Sequence, residues 1–402
     1  MMDKNAVSRV PAVLAQADRK LKIAVLFGGR SGEHEVSLDS ARSVLAVLDP
    51  QKYEIFQVGI THAGSWLTGP DALQALASGQ TDNLLPCTIL PDPSKTALFV
   101  IRSKDQGQVQ ENSKFEYEHS KYEYEKLTDL DVVFPVLHGT YGEDGTLQGL
   151  LEMADLAYVG AGVTGSSVGM DKGIFKDVMR AIRIPTVESI IVLRSEIEKA
   201  IEQVIRQAEE VAAYPLFIKP ANLGSSVGIT KCNSRADLGE ALLEAAAFDR
   251  RVLVERGVDA REIEVSVLGN DDPQASVPGE VLPSREFYSY ESKYVDGTSG
   301  LLIPAPLPPE VAGKIRRMAV DAYKAIDCAG MARVDFFVEK KSGAIYLNEL
   351  NTIPGFTSIS MYPKLWEASG LPYASLVDRL VDLALERKAD RSRTERKFRR
   401  TS

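Results

Sequence analysis

Arg333-Val-Asp335, the turn Lys341-Ser-Gly343 and the segment Glu349-Leu-Asn351 form the stretch from which the fold of this chain is read outward. The flanking runs 332–338 and 344–350 alternate like strands, and a short connection ending in Gly suits a three-residue hairpin loop with a left-handed residue. That register sets Asp335 opposite Glu349 and Arg333 opposite Asn351. Side chains two apart on a strand share a face, so one guanidinium, two carboxylates and an amide converge. Facing carboxylates repel, and folding gains nothing from them. A hard cation with oxygen ligands would offset the repulsion. Mg²⁺ takes one or two carboxylates and completes its shell with water and phosphate oxygens. Taken alone, the segment could also be a solvated hairpin face with incidental ion pairs.

The hairpin belongs to a chain of 402 residues, 44% apolar and 26% charged, with a net charge of -9. This is the profile of a globular protein of two or three domains. The acidic balance argues against a general nucleic-acid binder, although residues 387–402 are strongly basic. Lacking apolar periodicity, that tail reads as a disordered, solvated end. Cys87, Cys232 and Cys328 are far apart, odd in number and form no CxxC, so neither a disulfide framework nor a zinc site is suggested and a reducing cytoplasm fits. Residues 1–21 read as an extension that is neither signal peptide nor membrane span, and no stretch elsewhere reaches about eighteen apolar residues.

Toward the N-terminus, Lys22-Ile-Ala-Val-Leu-Phe27 reads as a buried strand, then Gly28-Gly29, then a helix opening near Ser37 with Ala41, Val44, Leu45 and Leu48 on one face. With a second strand at 55–60 this is a parallel βαβ start, and the expected α/β domain spans 22–160. Residues 102–127 are polar and charged and read as a surface insertion before a strand at 131–136. Two mixed α+β lobes are expected at 161–258 and 259–386, with long helices at 195–211 and 309–326; no internal repeat is apparent. The strand Phe217-Ile-Lys219 leads into a small-residue loop with Gly224-Ser225-Ser226-Val-Gly228. Backbone N–H groups, hydroxyls and the Lys219 charge there suit a phosphate, although a plain hairpin turn also fits. Gly160-Ala-Gly162-Val-Thr-Gly165 matches the dinucleotide pattern GxGxxG. Its short strand, the ten residues before the helix at Lys172 and the lack of a downstream acid at about twenty residues weigh against that reading. Lys172, at a helix start, is better placed to meet a phosphate.

Several segments, taken together, resemble the D-alanine:D-alanine ligases of the ATP-grasp superfamily over about 22–386. They are Gly28-Gly-Arg-Ser-Gly-Glu33-His-Glu-Val-Ser37, His138-Gly139 with Gly142-Glu-Asp-Gly-Thr-Leu-Gln-Gly149, Met170-Asp-Lys172, Lys219-Pro, Gly224-Ser-Ser-Val-Gly228, Tyr288-Ser-Tyr-Glu-Ser-Lys293-Tyr294, and Asn348-Glu349-Leu-Asn351-Thr-Ile-Pro-Gly355 running on to Ser360-Met361. The resemblance implies an α/β domain followed by two ATP-grasp lobes that sandwich ATP. It implies attack of one D-alanine carboxylate on the γ-phosphate of ATP to give an acyl phosphate, then displacement of phosphate by a second D-alanine. Such a reaction asks the protein for positioning and charge neutralisation more than for a nucleophile.

Residue by residue, the resemblance has Asp335, Glu349 and Asn351 hold two Mg²⁺, with Mn²⁺ as a substitute. Lys172, Lys219, Ser226 and Lys293 would contact phosphates, and Glu255 and Glu262 would hold adenine and ribose. Glu33 would bind the first ammonium group, Arg333 and the Gly355 N–H would stabilise the oxyanion, and Ser360 with Arg333 would take the second carboxylate. His138 falls near the second amino acid, where a satisfied loop histidine is the plainer reading. Tyr294 would close a lid at 283–302 with Ser225 and Glu33, and its presence, with apolar Met361, points to an amine acceptor rather than D-lactate or D-serine. A cytoplasmic homodimer without membrane or nucleic-acid partners is implied. An NAD-dependent oxidoreductase and a non-catalytic nucleotide-binding regulator stand as readings from other classes.

Overall fold

The strand expected at the head of the chain is β1 (Leu21–Gly28), with residues 23–27 fully buried. In the computed structural model, which describes residues 19–103, 122–224, 227–282, 300–357 and 359–395, β1 is followed by α1 (His34–Val47), β2 (Tyr53–Ile60), β3 (Trp66–Thr68), α2 (Ala72–Ser78), β4 (Leu85–Ile89), β5 (Ala97–Ser103), β6 (Tyr122–Asp129), β7 (Val132–Pro135), α3 (Thr146–Met153) and β8 (Ala157–Tyr158). The eight strands form one sheet in the order β6-β5-β4-β3-β2-β1-β7-β8. Pairing is parallel among β2, β1, β7 and β8 and antiparallel from β2 through β6. The parallel start read from the sequence is therefore one half of a mixed sheet, ending at the edge strand β8. The supposed insertion at 102–127 begins inside β5 and ends inside its antiparallel partner β6, and the alternating charged residues of β6 suit a solvated edge. Helix α1 opens three residues before Ser37. Ser37 sits one turn in and ties the helix to the sheet, its hydroxyl accepting from the Gly28 N–H at 2.8 Å and donating to the Val136 carbonyl.

A second, four-stranded antiparallel sheet runs β11-β10-β12-β9, from β9 (Ser189–Leu193), β10 (Leu216–Pro220), β11 (Thr230–Cys232) and β12 (Arg251–Arg256). It is preceded by α4 (Val163–Met170) and α5 (Lys172–Ala181) and covered by α6 (Arg194–Val211) and α7 (Arg235–Phe248). The third sheet contains β13 (Ala260–Gly269), β14 (Gln274–Ala275), β15 (Gly279–Leu282), β16 (Gly300–Leu302), β17 (Gly330–Glu339) and β18 (Ile345–Asn351), in the order β16-β15-β13-β17-β18 with β14 beside β13. Helix α8 (Pro309–Ala325) packs on it through Ile315, Met318, Ala319 and Ala322. Residues 300–302 of the expected lid are thus an edge strand on β15, and residues 283–299 lie outside the described residues.

The last two helices, α9 (Met361–Ala368) and α10 (Tyr373–Arg391), return to the first sheet. Leu376, Val377, Leu380 and Val381 are fully buried in the same cluster as Ile23, Val25 and Phe27, each such side chain contributing about 1.5–3 kcal/mol. Within the basic end, Arg387, Lys388 and Arg391 dock on the first sheet, while residues 392–395 are exposed. Arg387 donates to the carbonyls of Tyr158 at 3.1 Å and Gly160 and lies 4.2 Å from the Tyr158 ring centroid. Lys388 pairs with Asp155, and Arg391 with Glu152 and Asp155. The acidic partners, Glu152 and Asp155, lie together in a distant part of the chain, so local composition could not reveal them.

Candidate active site

The register at the hairpin is reached by a route the sequence did not suggest. The Glu339 N–H donates to the Ala344 carbonyl at 2.9 Å and the Gly343 N–H to the Glu339 carbonyl at 2.8 Å, so residues 340–343 form a four-residue connection with Gly343 in the left-handed region at φ 71°. Continued unbroken, that pairing would set Asp335 opposite Asn348. A bulge between Asp335 and Phe336 absorbs Asn348, and Asp335 meets Glu349 while Arg333 meets Asn351. On its other side Asp335 faces Glu264 of β13, and Arg333 faces Ser266. Directly opposed residues share a face, so Glu264, Asp335 and Glu349 make a row of three carboxylates across three adjacent strands. Glu264 was missed by the sequence reading. The signal was there in Glu262-Ile-Glu264, whose alternation puts both acids on one face.

Arg333 closes this row. Its Nε donates to Asp335 Oδ1 at 2.8 Å and its Nη2 to Oδ2 at 2.6 Å, while Glu264 Oε2 lies 3.0 Å from Nε. Burial works against the guanidinium charge, but Asp335, Glu264 and Glu349 outweigh it and hold the group protonated more firmly than a free arginine. Asn351 donates its amide hydrogen to Asp335 Oδ2 at 3.1 Å, which leaves its oxygen as an acceptor for another group. Lys172 Nζ stands 3.6 Å from Glu349 Oε2 and donates to the Leu223 carbonyl at 2.7 Å. Three carboxylates face two cationic side chains, with an amide oxygen beside them. That donor set fits a hard divalent cation in the oxygen-ligand class of Mg²⁺.

A second charged cluster lies behind the second sheet. Asp171 caps α5, its carboxylate accepting from the N–H groups of Gly173 at 3.0 Å and Ile174 at 2.9 Å, which fixes Lys172 as the first helical residue. One turn on, Lys176 Nζ is 2.5 Å from Glu255 Oε2, and Lys219 Nζ bonds the other oxygen. Glu255 is 2% exposed, and its carboxylate anchors both lysines. Burial pushes its carboxyl up, yet the two ammonium groups pull it down to about 2. Burial, with Lys219 and Arg180 adding to it, pulls Lys176 down more than Glu255 raises it. Two lysines against one carboxylate leave a buried excess of positive charge, which an anion would satisfy. Lys176 was not singled out from the sequence; its place one turn after Lys172 was the available clue. Glu262 is half-buried on β13, two residues before Glu264.

The two clusters meet a third group of residues from the first sheet. Glu33 stands at the N-cap of α1, and its Oε2 is so close to the Gly139 and Gly224 backbones that a Cβ would lie 2.5 Å and 2.9 Å away. One carboxylate therefore joins the first sheet to the loop of the second. His138 gives its Nδ1 hydrogen to the Ile353 carbonyl at 2.9 Å, so Nε2 accepts from Ser40 Oγ at 2.9 Å, and burial lowers its pKa. Glu143, unassigned from the sequence, accepts from the Gly139 N–H at 2.9 Å and the Ile353 N–H at 3.1 Å. Burial, reinforced by Glu33, pushes its carboxyl up to about 8. Glu33, His138, Glu143, Gly224, Arg333, Glu349, Asn351 and Gly355 line one polar cleft. Ser360 accepts from the Thr357 N–H at 3.0 Å beside Gly355. Met361, the first residue of α9, is buried against Val281 and Leu365. Ser225, Ser226, Lys293 and Tyr294 lie outside the described residues. The GxGxxG stretch enters α4 at Val163, where a Cβ on Gly165 would come 3.0 Å from the Cys328 backbone, so that glycine serves helix packing.

This geometry can be set beside known proteins. Residues 22–161 match the family model described as D-ala D-ala ligase N-terminus, and residues 178–382 the one described as D-ala D-ala ligase C-terminus. The chain is 48% identical to the D-alanine--D-alanine ligase of Caldicellulosiruptor bescii, over 92% of this chain and 96% of that one. It is 49% identical to that of Thermoanaerobacter sp. (strain X514), over 91% and 97%. Among solved structures, the D-alanine-D-alanine ligase from Coxiella burnetii is similar with a TM-score of 0.74 and 37% identity, covering 93% and 96%. A D-Ala:D-Ser ligase from Enterococcus faecalis is similar with a TM-score of 0.76 and 34% identity, covering 91% and 99%.

Proposed function

Because this chain belongs to the D-alanine–D-alanine ligase family, it is an ATP-dependent ligase of D-alanine with the ATP-grasp fold, and we propose that its reaction centres on the carboxylate row of the third sheet. The observation that carries the proposal is the meeting of Glu264, Asp335 and Glu349 with Arg333, opposite Lys172 and beside Glu33. The reaction joins two D-alanines through a D-alanyl phosphate, for peptidoglycan precursor synthesis. Lys172, Lys219 and Lys176 supply positive charge toward the ATP phosphates, the last two held in place by Glu255. Glu33 receives the ammonium of the first D-alanine. Arg333, steered by Asp335 and Glu264, offers its remaining donors to the carboxyl oxygens, with the Gly355 N–H beside it. His138, held through both ring nitrogens, shapes the cleft for the second amino acid.

Asp335, Glu349 and Asn351 would hold the metal, which we take to be two Mg²⁺ ions; bound there, they would neutralise charge on the transferring phosphoryl group. Among the described residues no helix is long and apolar enough to cross a membrane. A cytoplasmic homodimer completes the proposal, checked by sedimentation of the purified chain. The test of function is phosphate release from ATP and Mg²⁺ with D-alanine, L-alanine or no amino acid, followed by product analysis with D-serine or D-lactate added. Turnover with the D-isomer alone, and D-alanyl-D-alanine as the main product, is the expected result. Equal release without amino acid would overturn the reading.

A further inference from the structure

Away from the cleft, the described residues bring together one other set of side chains suited to a metal. His34, Glu35 and His62 each offer a donor atom, and these atoms lie within 4.8 Å of one another. Topology explains the meeting. His34 and Glu35 open α1 after β1, and His62 follows β2, the parallel neighbour of β1 in which Ile60 pairs with Gly28. The same ends of two adjacent strands thus place all three residues on one rim.

The state of the buried member is fixed by its surroundings. His34 is 3% exposed, and its Nδ1 lies 2.8 Å from the Gly29 carbonyl. A carbonyl can only accept, so Nδ1 bears the hydrogen and Nε2 the lone pair. An imidazole that gives one N–H to a backbone carbonyl and bears its lone pair on the other nitrogen has the usual arrangement of a metal-ligating histidine. His62 stacks on His34 at 3.7 Å between ring centroids, and its Nε2 is 3.8 Å from Glu35 Oε1. The His62 and Glu35 side chains are 70% and 71% exposed, so both can turn toward a common point while His34 stays fixed.

We propose that His34, Glu35 and His62 form a second metal site, one that takes a borderline transition-metal ion of the Zn²⁺ or Cu²⁺ class. Two imidazoles and a carboxylate suit such an ion and leave a coordination position for water, whereas Mg²⁺ prefers all-oxygen shells. His34 follows Glu33 directly and its ring holds the Gly28-Gly29 turn. An ion there would stiffen the first turn of α1 and inhibit turnover. The inhibition rests on the ligase reading; the binding does not.

The test uses the full chain, stripped with a chelator and then saturated with Mg²⁺ so that the oxygen-ligand site is filled. Zn²⁺ is titrated by calorimetry, and Co²⁺ by its visible absorption. One equivalent should bind with micromolar affinity, at least tenfold more weakly in His62→Ala and Glu35→Ala and unchanged in Glu349→Gln. Unchanged affinity in His62→Ala, binding lost in Glu349→Gln, or no saturation below millimolar metal would each overturn the site. Zn²⁺ should also slow the wild-type ligase at least tenfold more than His62→Ala. Binding without that difference would overturn the inhibitory coupling alone.

Discussion

Replacing Glu349 by Gln keeps the shape of the side chain and removes one charge from the carboxylate row. Its Oε2 is 3.6 Å from Lys172 Nζ, which at an effective dielectric constant of about 20 corresponds to an attraction of about 5 kcal/mol. The same carboxylate faces Asp335, with Glu264 next in the row, and those like charges repel it by a comparable amount. The two effects largely cancel in the folded protein, so global stability should change by no more than about 1 kcal/mol, a shift of about 3 °C or less in melting temperature. Turnover has no such cancellation, because metal and phosphate need the full charge of the row. Loss of one preorganised charge there costs a few kcal/mol, and about 2.7 kcal/mol is a hundredfold. The assay is phosphate release at saturating ATP and D-alanine across a range of Mg²⁺, with calorimetric melting in parallel. We expect at least a hundredfold lower turnover and a higher Mg²⁺ requirement on a normally folded protein. Near-normal turnover at limiting Mg²⁺, or a collapse of stability that by itself accounts for the loss, would refute the reasoning.

Arg333→Lys should lose at least a hundredfold in turnover, since one ammonium cannot reproduce the fork on Asp335 and the contact with Glu264 together; wild-type turnover with an unchanged KM for D-alanine would contradict this. Glu255→Ala leaves Lys176 and Lys219 buried without their carboxylate, and urea unfolding should show a loss of about 3–5 kcal/mol, while a loss below about 1 kcal/mol would mean the cluster is not electrostatically coupled. Glu143 gives a pH signature: its folded value of about 8 lies above the ordinary 4.5, so its contribution is full below about 4.5 and is lost as pH rises through about 8. The wild-type urea midpoint should therefore fall across that window more steeply than that of Glu143→Gln, and parallel curves would count against it. Arg387→Ala removes the bonds to Tyr158 and Gly160 and should cost about 1.5–3 kcal/mol in thermal or urea unfolding; no change would show that the end of α10 contributes nothing by docking.

Much of the site is legible in the sequence, because its chemistry lies in short local patterns. Asp335 and Glu349, Lys172 behind its Asp171 cap, and the Gly224 loop after Lys219 are all spelled within a few residues. Period and capping are properties of neighbours in sequence. What is not legible this way depends on distant partners. Glu264 becomes part of the row only through the pairing of β13 with β17. Glu143 matters because Gly139 and Ile353, far apart in the chain, both donate to it. Glu255 ends an apolar strand, and only the fold brings Lys176 and Lys219 to its two oxygens.

The sequence by itself determined that two carboxylates, a guanidinium and an amide would share one face of a hairpin. Strand alternation puts alternate residues on one side whatever packs around them. Tertiary structure decided which residues became opposite one another. The turn is one residue longer than expected, and only the bulge at Asn348 returns Glu349 to Asp335. Tertiary structure also decided the fate of the C-terminal basic run, which local composition marked as solvated. Burial of Leu376, Leu380 and Val381 against the first sheet carries Arg387 and Arg391 to their partners. Composition reports what a segment can bury; only the surface it meets decides whether it does.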